Sequence, residues 1–155
     1  MPKFRALELA IEQATQQRDA QARRHAQSQK TLQFAHGQLT QLQSYSSDTD
    51  ARWIGGHAVN LSVELIKHHY QFMDRLQHAV TQQLGVIANL ERQLASAHQA
   101  LLQAEYRLAG FKQVVKSRRA EQQVLLERRE QRSTDEFAAM RHFRNRAAHS
   151  LEDLV

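Results

Sequence analysis

Residues 59–115 read VNLSVELIKHHYQFMDRLQHAVTQQLGVIANLERQLASAHQALLQAEYRLAGFKQVV, and their spacing decides the fold. Steps of seven from Val59 land on Val59, Ile66, Met73, Val80, Ile87, Leu94, Leu101, Leu108 and Val115, apolar every time. The companion track three residues on is mixed at Ser62, His69, Leu76 and Gln83, then apolar at Leu90, Ala97, Ala104 and Phe111. A spacing that averages about 3.5 residues and holds this long specifies a helix supercoiled on a partner, because a straight helix would drift about 20° per heptad.

The partner lies upstream. Phe4, Ile11, Arg18, His25, Leu32 and Leu39 form one seven-residue track, and Leu7, Ala14, Gln21, Ser28, Ala35 and Leu42 form the other. Both are well filled at the ends and polar from Arg18 to Ser28, where polar seam residues either fix register or let the helices splay. Downstream of Val115 the tracks turn polar at Arg118, Gln122, Arg129 and Arg132, relieved by Leu125 and Ala139. Between the two segments, Ser46-Ser47-Asp48-Thr49-Asp50-Ala51-Arg52-Trp53-Ile54-Gly55-Gly56 carries turn chemistry.

The expected fold is therefore all-α: an elongated antiparallel two-helix coiled-coil hairpin whose C-terminal helix overhangs. It is read as one coiled-coil domain over 1–155, with a helix over about 4–46, a linker over about 47–57, a helix over about 58–146 and a frayed tail over 147–155. Antiparallel register sets Leu42 near Leu76, Tyr45 near Phe72 and Leu7 near Phe111, and pairing ends near residue 115. Gly85 is the candidate break in the second helix.

Composition agrees. The chain has 155 residues, one Pro, five Gly and no Cys, with 6% aromatics. Gln and Ala number 21 each, so helix formers abound and strand formers are scarce. No window approaches the roughly 18 apolar residues of a membrane span, and the N-terminus carries no signal-peptide pattern. A cytoplasmic protein is expected, and the lack of cysteine removes disulfides and thiolate chemistry.

Chemistry is sparse. There is no phosphate-cradling Gly-rich loop, nucleophile elbow or His-Glu-x-x-His helix, and the carboxylates read as solvated, so the sequence argues against an enzyme and implies no cofactor. Nine His invite a metal site, yet His68 and His69 are adjacent and diverge by about 100°, and His25, His36, His57, His78, His98, His142 and His149 lack ligand spacing. The net charge is +5, with a basic C-terminal run of Lys116, Arg118, Arg119, Arg128, Arg129, Arg132, Arg141, Arg144 and Arg146. Glu121, Glu127, Glu130, Asp135 and Glu136 interrupt that run and no aromatic platform is interleaved, so an acidic protein partner or plain solvation outranks nucleic acid. A stripe of Leu65, Phe72, Ala79 and Val86 beside the seam is more apolar surface than two strands can bury. Either Trp53 or Ile54 folds over it, or it docks a partner.

In order and spacing, Leu7-Glu8, Gln38-Leu39 with Leu42 and Tyr45, Phe72 with Leu76, Ala79 and Val80, and Leu126-Glu127-Arg128-Arg129-Glu130 before Asp135-Glu136-Phe137-Ala138 resemble the flagellar export protein FliJ family. The resemblance covers nearly the whole chain. It implies a non-enzymatic stalk of the flagellar type III export apparatus, similar to the coiled-coil shaft of a rotary ATPase. The implied partners are the hexameric export ATPase FliI, the export-gate protein FlhA and export chaperones, at the cytoplasmic face of the inner membrane. Carried over by position, gate docking maps to Gln38, Leu42, Tyr45, Phe72, Leu76, Ala79 and Gln83. The family's frequent aromatic four residues after Tyr45 is Thr49 here. An ATPase-ring contact is expected at Arg118, Arg119, Arg128, Arg129 and Arg132. An injectisome stalk and a basic nucleic-acid-binding coiled coil are the alternatives, and a monomer or weak dimer is expected.

Overall fold

A computed structural model describes the backbone of residues 2–55 and 62–154 and the side chains of residues 4–55 and 62–154. Val59, His57 and Gly56, read above as a seam site, a scattered histidine and half of a turn, lie outside the described residues. The described chain is two helices, α1 (Pro2–Gly55) and α2 (Val63–Glu152). The all-α hairpin read from the heptads is what the chain forms.

Ser62 starts α2. Its hydroxyl accepts from the Leu65 amide at 3.3 Å, and its carbonyl accepts from the Ile66 amide at 3.2 Å. This satisfies one of the orphan donors of the first turn, where Glu64 also complements the positive end of the helix dipole.

Both helix bounds differ from the sequence expectation. Residues 47–55 are helical, because the seam spacing persists through them: Ser46, Thr49 and Trp53 continue the seven-residue tracks and are half-buried. Polar turn formers with the correct spacing stay helical when one face is covered. The second helix also runs past its expected end near 146, to Glu152. Gly85 does not interrupt α2.

The chain divides into two compact units, Glu12–Leu108 and Met1–Ile11 with Ala109–Val155. In the first unit the helices run antiparallel, since Trp53 meets His69, Tyr45 meets Phe72, Gln83 meets Ala35 and His25 meets His98. Its buried residues are Ala14, Ala35, Leu76, Ile87, Ala97 and Leu108, all on the predicted tracks. Three of these are alanine, which allows close backbone approach, and the Ala97 side chain is wholly covered. The polar middle does not splay. Arg18, Gln21, His25 and Ser28 stay half-buried, the His25 and His98 ring centroids lie 5.4 Å apart, and Arg18 folds back on Asp19 at 2.8 Å.

In the second unit, pairing goes further than the expected stop near residue 115. Phe4, Ala6 and Leu7 line a groove with Arg118, Glu121, Gln122 and Leu125, and Glu8 lies 3.7 Å from Arg119. Leu7 thus shares its groove with residues about one to three turns beyond Val115. The reason is on the heptad track: Gln122 and Leu125 are its next two members after Arg118, and Leu125 offers an apolar surface that Phe4 and Leu7 share. From residue 123 to 154 every described side chain is exposed.

Candidate functional site

The residues assigned to gate docking gather in the Glu12–Leu108 unit near the hairpin end. Tyr45 and Phe72 meet across the helices edge-on, with ring centroids 6.0 Å apart and planes at 72°. That arrangement suits the aromatic quadrupole. Both rings stay open to solvent, Tyr45 at 57% and Phe72 at 37%. One helical turn from Tyr45, Leu42 is half-buried, and one turn from Phe72, Leu76 is buried at 9% exposure. Leu76 therefore belongs to the seam beneath the patch and presents little surface of its own. Ala79 is half-buried next to it.

A polar clasp closes the patch on its far side. The Gln83 amide nitrogen donates to the Ala35 carbonyl at 2.9 Å and to Gln38 Oε1 at 3.2 Å. The Ala35 carbonyl already serves α1, so Gln83 uses its second lone pair and ties the two helices in one register. Gln38, Gln41, Leu42, Tyr45, Asp48 and Gln83 line a shallow groove along this surface. Asp48 was not singled out by sequence reasoning; its place four residues past Ser44 and three past Tyr45 on the same helix face is the signal that could have found it.

The extra stripe is not covered. Leu65 is 51% and Val86 48% exposed, so they extend the apolar surface above and below Phe72. Trp53 does fold back, but onto His69, stacked at 3.9 Å and 4°. His69 is a seam position, so Trp53 caps the end of the seam and leaves the stripe open. Ile54 points to solvent.

The arginines expected to meet an ATPase ring lie in the second unit. Arg118 lines the groove with Phe4 and Leu7, and Arg119 faces Glu8. Arg128 borders a furrow with Ala120, Val124 and Leu125. Arg129 and Arg132 are exposed. These side chains are thus spread along α2 and are not gathered into one cluster.

Among the described residues no group of three His, Cys, Asp or Glu is placed to hold a metal ion, and no helix is long and apolar enough to cross a membrane.

Sequence reasoning also missed the apolar residues beyond the pairing. Phe137, Met140, Phe143 and Leu151 are 66–77% exposed. Phe137, Met140 and Leu151 fall outside the seven-residue tracks of the seam and Phe143 is a lone apolar member after Gln122, Arg129 and Glu136, which is why the tail looked polar; a step of about 3.6 residues from Phe137 would have found them.

Comparison with known proteins adds one assignment. A family model described as "Flagellar FliJ protein" matches residues 3–147. No curated protein and no solved structure matches the sequence.

Proposed function

We propose a function from one premise: the chain belongs to the flagellar FliJ family, and so is a component of the flagellar export apparatus. In this proposal the hairpin end of the Glu12–Leu108 unit docks the export-gate protein FlhA. The arginine-bearing part of α2 contacts the export ATPase FliI and favours its hexamer, and the chain helps recycle export chaperones. It works at the cytoplasmic face of the inner membrane without catalysing a reaction itself.

The observation that carries the gate assignment is the exposed Tyr45–Phe72 pair. A two-stranded coil has no internal use for two large rings left half open beside an intact seam. An aromatic pair on a rigid platform is, however, what a partner's apolar segment can cover at low entropic cost. Gln83, Gln38 and Ala35 fix the two helices in register there, so the rings are held before the partner arrives.

The ATPase role rests on family membership together with a set of exposed arginines on a helix that has no pairing strand beyond about residue 125. A binding protein can drive ring assembly only by preferring the assembled state, and cationic side chains on one helix can do so by contacting neighbouring ATPase subunits together. The test is to mix the full chain with purified FliI and follow both hexamer formation and ATP turnover. Both should rise with the chain present, and Arg128→Gln/Arg129→Gln/Arg132→Gln should reduce the rise. Unchanged assembly and turnover with the native chain would remove the ATPase role.

A further inference from the structure

The C-terminal part of α2 carries a second amphipathic feature that the proposed function does not use. At 100° per residue, Phe143, Ala147, Met140, Leu151 and Phe137 fall in that order within an arc of about 120°. Phe143 is 77%, Phe137 70%, Leu151 67% and Met140 66% exposed, so nothing in the unit covers the arc. The polar residues around it are of one sign. Between Phe137 and Leu151 there are three arginines and no carboxylate. Arg141 borders one edge of the arc and Arg146 the other, while Arg144 lies within it between Leu151 and Phe137, where its long stem can run along the apolar face and carry the guanidinium outward. Carboxylates resume only outside this window, at Glu136 before it and at Glu152 and Asp153 after it, and Glu152 is held by His149 at 3.7 Å.

We propose that residues 137–151 form an interfacial helix that lies on an anionic lipid surface, with Phe137, Met140, Phe143 and Leu151 immersed and Arg141, Arg144 and Arg146 on the phosphates. An arc about 120° wide is broader than a two-stranded coiled-coil seam, and it is the pairing of that apolar face with a carboxylate-free, arginine-bearing border that favours an anionic lipid plane. The charges complete the match, because arginine stems can lie along the apolar layer while their guanidinium groups reach the headgroups. A second copy of the chain fits poorly. Two such helices in parallel would set Arg144 against Arg144, and antiparallel pairing would gather six arginines within a turn or two of the midpoint.

The experiment is flotation of the full chain with vesicles of phosphatidylcholine alone and of phosphatidylcholine containing phosphatidylglycerol. The chain should float with the anionic vesicles and remain behind with the neutral ones. Each of Arg141→Gln, Arg144→Gln and Arg146→Gln should weaken partition about five-fold, from roughly 1 kcal/mol per cation near an anionic surface. Phe137→Ser/Phe143→Ser should weaken it at least ten-fold. These positions are exposed, so far-UV circular dichroism should show the variants as helical as the native chain. Phe72→Ser should float like the native chain, which separates this inference from gate docking. Failure of the native chain to float would overturn the proposal, as would loss in the arginine variants without loss in the phenylalanine variant. Binding to soluble polyglutamate with the same dependence on Phe137 and Phe143 would assign the surface to an acidic polypeptide instead.

Discussion

Tyr45 and Phe72, one from each helix, meet edge-on at 6.0 Å while both remain open to solvent. One turn below them Leu76 is buried. The docking surface and the core beneath it are thus adjacent positions on one helix, and substitutions can tell them apart.

Phe72→Ser should lower stability by about 1 kcal/mol, since the ring is partly exposed and its edge-on contact contributes about 0.5–1.5 kcal/mol beyond area burial. Leu76→Glu should cost more than about 3 kcal/mol, because it sets a carboxylate in the seam with no cation to meet it. Urea denaturation of both variants checks this. Equal destabilisation would mean that Phe72 is core.

Gln21 sits half-buried in the polar middle of the seam, and its side-chain oxygen is buried without a hydrogen-bond partner. Gln21→Leu should therefore raise stability by about 1 kcal/mol, since it removes an unpaired acceptor and adds apolar surface at a seam position. Thermal unfolding reads the shift. A drop in midpoint would show that the amide takes part in fixing the register.

The seam is also close-packed at alanine. Ala97 is fully covered, so Ala97→Leu should destabilise by about 1–3 kcal/mol through overpacking, although leucine is the better coiled-coil residue in general. A stabilised variant would mean that the helices separate there at little cost.

Gly37, Gly85 and Gly110 are interior to helices, and an added Cβ at each meets nothing within 4 Å. Each Gly→Ala change should stabilise by about 1 kcal/mol, and the three should add because no added Cβ meets a neighbour through which the sites could couple. If Gly85→Ala alone failed to stabilise, α2 would bend there in solution.

Much of this fold was legible from period alone. The nine apolar positions from Val59 to Val115 and the matching tracks from Phe4 to Leu42 fixed two helices and their antiparallel pairing, and Tyr45 meets Phe72 as that register required. The end of α1 was not legible. Ser46 to Gly55 has turn composition, but its seam positions keep their spacing, and the Trp53–His69 stack gives the last turn a packing partner. Burial overrode propensity there. The extent of pairing was misjudged for a related reason, because Leu125 looked like an isolated apolar residue until Phe4 and Leu7 were seen to share its groove. Of the candidate site, the stripe of Leu65, Phe72 and Val86 was readable as surplus apolar surface. The clasp from Gln83 to Ala35 and Gln38 was not, since glutamines are frequent in this chain and nothing in their spacing distinguishes the one that bridges.

The central claim is that the aromatic pair at the hairpin end docks the export gate while the arginine-bearing part of α2 serves the ATPase. Its most direct test is a titration of the cytoplasmic part of FlhA with the native chain and with Phe72→Ser, with FliI turnover measured on the same samples. The account predicts that Phe72→Ser weakens gate binding at least ten-fold, as loss of a central aromatic anchor costs about 2 kcal/mol, and that it leaves ATPase stimulation unchanged. Gate binding equal to that of the native chain, in a variant that remains folded, would contradict it.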